Sequence, residues 1–302
     1  MAFVSVDQLS KTFDKTAVIK DLSFQLEKGK CVSLLGQNGA GKTTTLRMLS
    51  GLMKPTKGTI SIDGASPSSD IRSFIGYLPQ HPVFHNWMTG KEFLVYVGRL
   101  AHLSKTEATT RAETLLKQVG IEDAKNRRIG KYSGGMKQRL GIAQAMIHEP
   151  KLIMLDEPVS SLDPVGRREV LTLLEELKQE TTVLFSTHIL SDAEEVSDEL
   201  LLLHDGHIVE SGTMNDLQSQ HESTRIDLSF SEEAESFEVP IIQIESIENV
   251  QREGNQLHIY AKNTEKARTE LLKLASEQNW PITKFEVSRS SLEDLFMKVV
   301  NQ

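Results

Sequence analysis

The sequence predicts an α/β protein with a mainly parallel sheet, and three observations carry this prediction. Apolar runs of strand length alternate with helical stretches along much of the chain. The clearest such runs are 31–35, 152–155, 182–186 and 200–204. The first of them leads through a glycine-rich loop into a helix, and a helical insertion between about 85 and 148 interrupts the alternation. Strands that alternate with helices are typical of a parallel sheet covered by helices.

Helix starts are marked at three places by residues that satisfy free backbone amides. The segments 89–92 and 104–107 both fit the capping box, in which a hydroxyl and a carboxylate cap the helix reciprocally. Asp163 stands directly before Pro164, whose missing N–H costs nothing at the first position of a helix. We therefore expect helical structure from about 89 to 118 and from about 164 to 180.

Several short strands are expected ahead of the insertion, because turn residues separate strand-length runs there. These runs are 17–19, 22–26, 59–62 and 74–78.

A change of composition divides the chain. Gln, Ser, His and Glu dominate around 215–240, which predicts a linker or loop with a solvated acidic face. Beyond it we expect strands near 244–250, 256–261 and 282–287, and helices near 264–278 and 290–300. The sequence thus predicts a main domain over 1–218 and a small C-terminal α+β domain over 219–302.

The composition excludes several classes of protein. The net charge of -8 argues against a nucleic-acid partner, since such proteins usually carry a basic face. Cys31 is the single cysteine, which excludes an intrachain disulfide and predicts a buried structural thiol. We expect no signal peptide, because the first residues lack a basic start followed by an apolar stretch, and no membrane span, because no run of about 18 apolar residues occurs. We therefore expect a soluble chain that reaches a membrane only through a partner.

The segment 36–43 fits the phosphate-loop pattern, with the required strand before it and helix after it. Its glycines let backbone N–H groups approach phosphate oxygens. Lys42 is predicted to neutralise the β- and γ-phosphates of a nucleotide, and Thr43 to ligate Mg²⁺. The predicted nucleotide-binding residues of this segment are Gly36, Asn38, Gly39, Ala40, Gly41, Lys42, Thr43 and Thr44.

Two acids, Asp156 and Glu157, end the apolar run at 152–155. In a phosphate-loop protein an acid at the end of a core strand holds Mg²⁺, and Asp156 fits that role. Glu157 would point elsewhere, toward the γ-phosphate, where it could polarise a water molecule. Such a pair on its own is often a solvated sheet edge, but the upstream phosphate loop favours the functional interpretation.

A serine and two glycines at 133–135 make a second anion site, because the serine caps a helix start and the glycines leave its amides bare. With the phosphate loop and the acids, this segment resembles the signature of the ABC ATPase family. The resemblance covers about residues 2–215. Tyr132 and Met136 depart from the family's commonest letters, whereas the serine and both glycines are kept.

The resemblance implies a phosphate-loop NTPase fold with a mainly parallel sheet, an antiparallel β subdomain and a helical insertion. It implies that the chain binds and hydrolyses ATP with Mg²⁺ and powers a separate membrane permease. Its partners would be the permease and a second ATPase subunit, either another copy of itself or a homologous chain, joined head to tail around ATP. The chain would be cytoplasmic and peripheral on the inner face of the membrane. A soluble ABC ATPase that acts in assembly or regulation is the alternative.

Individual site residues follow from the resemblance. Phe13 would stack on adenine, with a place in the core as the alternative. Gln80 would contact Mg²⁺ and the attacking water, and His188 would contact the γ-phosphate. Asp163 belongs to a loop that would cross the dimer interface. The expected catalytic residues are Glu157, His188 and Gln80. The expected Mg²⁺ ligands are Thr43, Gln80 and Asp156. The residues that would bind the partner's ATP across the dimer are Ser133, Gly134 and Gly135.

Two further segments bear on the permease. Phe84, Trp87, Phe93 and Tyr96 could form a groove that grips it, although an ordinary core face is an equal alternative for Phe93 and Tyr96. The segment 290–296 resembles the ending of bacterial drug, antibiotic and lipid exporters, and an amphipathic helix is the simpler interpretation.

Overall fold

The structure is a computed structural model, and it describes residues 2–62, 71–160, 162–220 and 224–289. The chain divides by its internal contacts into two units, Met1–Met214 and Asn215–Gln302. Each unit has apolar clusters of its own and is described separately below.

Strands of the first unit form two sheets. Their bounds are β1 (Ala2–Phe13), β2 (Thr16–Glu27), β3 (Cys31–Leu35), β4 (Lys57–Ile62), β5 (Ile75–Leu78), β6 (Leu152–Asp156), β7 (Thr182–Thr187), β8 (Glu199–His204) and β9 (His207–Thr213). The larger sheet has the order β5-β6-β7-β3-β8-β9, and its pairs are parallel except for the last. Every residue of β3, β6 and β7 is buried, as expected for central strands with both faces covered. The predicted α/β architecture is confirmed.

The smaller sheet is antiparallel and has the order β2-β1-β4. Where the sequence suggested separate strands at 17–19 and 22–26, the structure has the single strand β2. The interruption is a bulge, because the pairing register shifts where Asp21 adopts a positive φ of 51°. Asp21 is held there by Ser10, whose hydroxyl donates to its carboxylate at 2.8 Å.

Helices cover the larger sheet and build the insertion. Their bounds are α1 (Lys42–Leu49), α2 (Gly90–Leu100), α3 (Lys105–Gln118), α4 (Gly134–Met146), α5 (Pro164–Leu177) and α6 (Leu190–Val196). The next helix, α7 (Met214–Gln220), begins at the last residue of the first unit and otherwise belongs to the second. Both predicted capping boxes are present, at the starts of α2 and α3. The stretch expected to be helical from 89 to 118 is broken into two helices at His102, whose φ is 67°.

Strands and helices of the second unit alternate in another pattern. Their bounds are β10 (Thr224–Phe230), α8 (Glu235–Ile242), β11 (Ile247–Glu253), β12 (Gln256–Ala261), α9 (Thr264–Glu277) and β13 (Ile282–Arg289). The strands form one antiparallel sheet in the order β11-β12-β10-β13. Its core contains the fully buried side chains of Ile226, Leu228, Leu257, Ile259 and Leu271.

The prediction of a linker around 215–240 is wrong. This stretch holds most of α7, the strand β10 and most of α8. In β10 the buried Ile226, Leu228 and Phe230 alternate with polar residues, which is the period of a half-buried strand. The strand expected near 244–250 begins later, at Ile247. The helix expected at 290–300 lies outside the described residues.

Candidate functional site

The predicted phosphate loop joins β3 to the first turn of α1. Gly36 is required there by packing, because a Cβ atom on it would lie 2.4 Å from the carbonyl oxygen of Leu203. Gly39 and Gly41 have φ angles of 89° and 110°, which favour glycine. The loop therefore wraps tightly before the amino end of α1, where free amides favour anions.

The other residues of the loop differ in exposure. Asn38 is exposed and Ala40 is buried, while Thr43 and Thr44 are half-buried in the first turn of α1. A hydroxyl in this first turn can reach a cation that is bound together with phosphates.

Lys42 is a buried lysine, with 5% of its side chain exposed. Its Nζ donates to the carbonyl oxygens of Gly36 at 2.8 Å and Gln37 at 3.2 Å, so the ammonium lies against the loop. Burial lowers the pKa of this ammonium, and the carboxylates of Glu157 and Asp156 act in the opposite direction. Lys42 thus presents a positive charge at a poorly hydrated position.

Asp156 ends β6 with its two carboxylate oxygens in different environments. One oxygen accepts a hydrogen bond of 2.7 Å from the Ser186 hydroxyl. The other, Oδ2, is buried and has no hydrogen-bond partner among the described residues. A buried carboxylate oxygen without a partner calls for an explanation, and a hard cation with oxygen ligands supplies one. The residue therefore fits a Mg²⁺ ligand.

Glu157 brings together predicted residues from three other segments. Its carboxylate accepts from Gln80 Nε2 at 3.0 Å and lies 3.3 Å from His188 Nδ1 and 3.5 Å from Lys42 Nζ. These three side chains follow the strands β5, β7 and β3, so they meet at the carboxyl edge of the parallel sheet, where α/β proteins bind their ligands. The three distances report a single cluster around one carboxylate.

Ser186 is a member of this site that the sequence analysis missed. Its hydroxyl donates to Asp156 and accepts from the backbone N–H of Glu157 at 2.9 Å, so it orients both acids. The signal in the sequence was a serine at the end of the strand-length run 182–186.

The predicted signature residues start α4. The Ser133 hydroxyl accepts from the backbone N–H of Met136 at 3.2 Å, which makes Ser133 the helix cap. A Cβ atom on Gly134 or Gly135 would meet no atom of the described residues within 4 Å, so packing against that part of the chain does not require these glycines. Tyr132 is buried and its hydroxyl donates to the Ala124 carbonyl at 2.8 Å, which anchors the segment to the insertion.

Asp163 lies beside the signature residues. Its carboxylate accepts from the backbone N–H of Gly166 at 3.1 Å and caps α5. Ser133, Gly135 and Asp163 line one cleft of about 380 Å³, whose described lining contains no residue of the phosphate loop. Within the described chain, the expected residues Lys42, Gln80 and His188 thus lie around Glu157, whereas Ser133, Gly135 and Asp163 lie at this cleft. Ser161, which stands two residues before Asp163 in the same loop, lies outside the described residues.

The predicted aromatic residues differ in environment. Phe13 ends β1 with 41% of its surface exposed and the Lys11 ammonium 5.1 Å from its ring centroid, so it does not belong to the core. Trp87 and Tyr96 are exposed, and Phe84 is half-buried. For Phe93 the core alternative is correct, because it is buried in the insertion.

No helix in the described part of the chain is both long enough and apolar enough to cross a membrane.

Comparison with protein-family models gives two matches. A model described as ABC transporter matches residues 19–160. A model described as the C-terminal domain of DrrA1-3-like ATP-binding proteins matches residues 212–300.

Individual proteins agree with these matches. The chain is 43% identical to the ABC transporter ATP-binding protein YxlF of Bacillus subtilis, over 99% of both chains. It is 31% identical to the linearmycin resistance ATP-binding protein LnrL of Bacillus subtilis, over 99% of this chain and 98% of LnrL. The solved dimeric post-hydrolysis state of the ATP-binding cassette MJ0796, bound to ADP and Pi, is 27% identical with a TM-score of 0.63, over 70% of this chain and 98% of that chain. The chain belongs to the family of ABC transporter ATP-binding proteins, and it is an ATP-hydrolysing subunit of that family.

Proposed function

We propose that ATP is held by the phosphate loop 36–43 and hydrolysed at the cluster around Glu157. The observation that carries this proposal is the convergence of Lys42, Gln80 and His188 on the Glu157 carboxylate. Phosphoryl transfer needs mainly positioning and neutralisation of charge. Glu157 orients the attacking water or accepts its proton, Lys42 neutralises the β- and γ-phosphates, and His188 contacts the γ-phosphate.

Mg²⁺ fits this site through Thr43, Gln80 and Asp156. The support is the buried and unpartnered Oδ2 of Asp156. When bound, the ion neutralises charge on the phosphate oxygens. Few protein ligands suffice, because Mg²⁺ usually keeps several waters and binds through one or two carboxylates and the phosphates.

Adenine is held by Phe13. Its exposed ring offers a face for stacking, which is the geometry that aromatic pairs favour. Lys11 lies over the same ring and is itself held by the Lys54 carbonyl at 2.8 Å.

A second subunit completes the site by enclosing ATP head to tail. Ser133 and Gly135 line an open cleft with bare amides at the start of α4, and the same cleft holds Asp163. Such a helix start favours phosphate. The dimeric state of MJ0796 supports this assembly. The partner is a second copy of the chain or a homologous subunit.

A membrane permease binds the exposed surface of the insertion around Trp87. Val83, Trp87 and Tyr96 expose large apolar side chains, and the His85 ring contacts both Trp87 and Tyr96. In the sequence, Val83 and Trp87 follow soon after Gln80, which belongs to the Glu157 cluster. Contiguous exposed apolar surface marks interaction sites. The chain would therefore lie on the cytoplasmic side of the membrane, held there by the permease. The name of LnrL favours an exporter of the drug and antibiotic class.

The domains divide these tasks. Residues 1–218 form the ATPase domain with the insertion at about 85–148, and residues 219–302 form an accessory domain. Every predicted nucleotide contact lies upstream of residue 218, and the model of the DrrA1-3-like C-terminal domain covers 212–300.

The substitution Lys42→Ala tests the nucleotide site. We expect ATP hydrolysis to fall by at least ~10²-fold, since removing one preorganised donor to developing charge typically has this effect. ATP binding should weaken as well, while circular dichroism should show that the variant remains folded. Lys91→Ala is the matched control, because Lys91 also forms an ion pair but lies on α2. Binding and hydrolysis at wild-type levels in Lys42→Ala would refute the proposed site.

A further inference from the structure

A buried ion pair joins the first turn of α5 to the first turn of α6. Arg167 Nε donates to Asp192 Oδ1 at 2.6 Å, and Arg167 Nη2 donates to the Ser191 hydroxyl at 2.9 Å. The Asp192 side chain has no exposed surface, and about a third of the Arg167 side chain is exposed. The two residues are far apart in sequence, so the pair fixes one helix start against the other.

The other oxygen of Asp192 holds the segment that carries His188. Thr187 Oγ1 donates to Asp192 Oδ2 at 3.3 Å and accepts from the backbone N–H of Ile189 at 3.0 Å. His188 therefore sits between two residues whose positions depend on Asp192. Burial raises the pKa of the Asp192 carboxyl, and the hydrogen bond and charge of Arg167 oppose this effect.

The Arg167 end of the pair lies next to the cleft of the signature. Its backbone N–H donates to the carbonyl oxygen of Asp163 at 2.9 Å, within the first turn of α5. Asp163 and Gly166 both line the cleft with Ser133. One connected set of hydrogen bonds thus runs from the cleft through Arg167 and Asp192 to the Thr187 hydroxyl before His188 and the Ile189 backbone N–H after it.

We propose that Arg167 and Asp192 are positioning residues that couple the signature cleft to His188. The inference rests on the proposed function, in which the cleft receives the partner subunit's ATP and His188 contacts the chain's own ATP. A shift at the start of α5 on dimer closure would then move His188 relative to the γ-phosphate.

Stability alone does not account for the pair. Replacing a buried ion pair by apolar residues of similar size is often neutral or stabilising, whereas removal of one partner is strongly destabilising. The double variant Arg167→Met/Asp192→Leu therefore separates the two roles. It keeps the packing volume between α5 and α6 but removes the directional hydrogen bonds to Ser191 and Thr187.

A second ion pair between the same helices is the control. Arg168 Nη1 lies 3.6 Å from Glu195 Oε1, and both side chains are exposed. Exposed pairs of this kind contribute little. Arg168→Ala/Glu195→Ala should leave the ATPase rate unchanged.

The experiment measures kcat, the Kd for ATP and the melting temperature of the full chain. We expect Arg167→Met/Asp192→Leu to lower kcat at least ~10-fold with Kd changed less than ~3-fold, as for loss of an interaction made only in the transition state. In a His188→Ala background the same double substitution should lower kcat no further, because residues of one network are not additive. Wild-type kcat in the folded double variant overturns the inference.

Two further single variants, at Arg167 and at His188, complete the experiment. If the double variant does not fold, Arg167→Lys retains the charge beside Asp192 but cannot reproduce the guanidinium's simultaneous bonds to Asp192 and Ser191, and wild-type kcat in this variant overturns the inference equally. The single variant His188→Ala separates the proposed function of His188 from its proposed coupling to the cleft. If it keeps wild-type kcat, the proposed role of His188 fails, whereas its inactivity together with an active Arg167→Met/Asp192→Leu variant refutes only the coupling.

Discussion

Glu157 has a φ of 48°, a left-handed backbone conformation that is rare outside glycine. Its carbonyl oxygen accepts from the backbone N–H and the hydroxyl of Ser160, at 3.1 Å and 3.0 Å, which holds the turn after β6. The turn aims the carboxylate at Lys42 while Asp156 stays against Ser186. Non-glycine residues in strained backbone conformations cluster at functional sites, where the surrounding structure holds them.

Cys31 gives a prediction at the scale of one residue. Burial raises the pKa of its thiol to about 12. Because the thiolate is the reactive form, iodoacetamide should leave the native chain unlabelled at pH 8 and label it fully in denaturant. Mass spectrometry of both samples measures this difference. Rapid labelling of the native chain would contradict the burial of β3.

At the residue scale, sequence motifs predicted Lys42 and Glu157, and the family resemblance added Gln80 and His188, but neither showed how these residues are arranged. Lys42 and Glu157 follow from motifs a few residues long. That Ser186 orients both acids depends on the pairing of β6 with β7, which no local pattern contains.

Among the elements, α2 and α3 begin where capping boxes predicted them, because this signal spans four residues. The strand β10 was not predicted, because polar segments flank its alternating apolar and polar residues. In the structure, pairing with β12 and β13 stabilises this strand. The turn-like residues at the Asp21 bulge predict a gap between two strands, whereas pairing with β1 makes them part of the single strand β2. Local sequence signals predict where helices start. Whether a polar stretch forms a strand depends on the strands that pair with it.

The insertion surface gives a prediction at the scale of an element. Trp87→Ala should reduce co-purification with the permease and spare basal ATPase activity, because 70% of Trp87 is exposed and its loss leaves the core intact. Phe84→Leu, a milder change at a half-buried ring that contacts Phe93, should act in the same direction. Leu52→Ala is the control, an exposed apolar residue elsewhere. Undiminished recovery of permease with Trp87→Ala would refute the proposed contact.

On the scale of the whole molecule, the two units have separate cores, and among the described residues parallel strand pairs occur in the first unit. The sequence predicted a second domain because the composition changes around 215–240 and the strand and helix pattern changes beyond it. The first strand of that domain was expected near residue 244, whereas β10 of the second unit begins at Thr224.

Deleting residues 221–302 should leave a folded chain that binds ATP, because every predicted nucleotide contact lies upstream. Nucleotide affinity should stay within ~3-fold of the wild type, a change that corresponds to well under 1.4 kcal/mol. Isothermal titration and circular dichroism measure the two properties. An insoluble product would show that the first unit depends on the second.

In the proposed mechanism, two subunits enclose ATP and Glu157 drives its hydrolysis. Glu157→Gln keeps the size and hydrogen bonding of the side chain but loses its charge, and loss of such a group typically lowers the rate by ~10²–10⁴-fold. Size-exclusion chromatography with saturating ATP and Mg²⁺ should therefore show a dimer, which a further Ser133→Arg substitution dissolves by filling the cleft. A monomer at saturating ATP, or hydrolysis at the wild-type rate, would contradict the account.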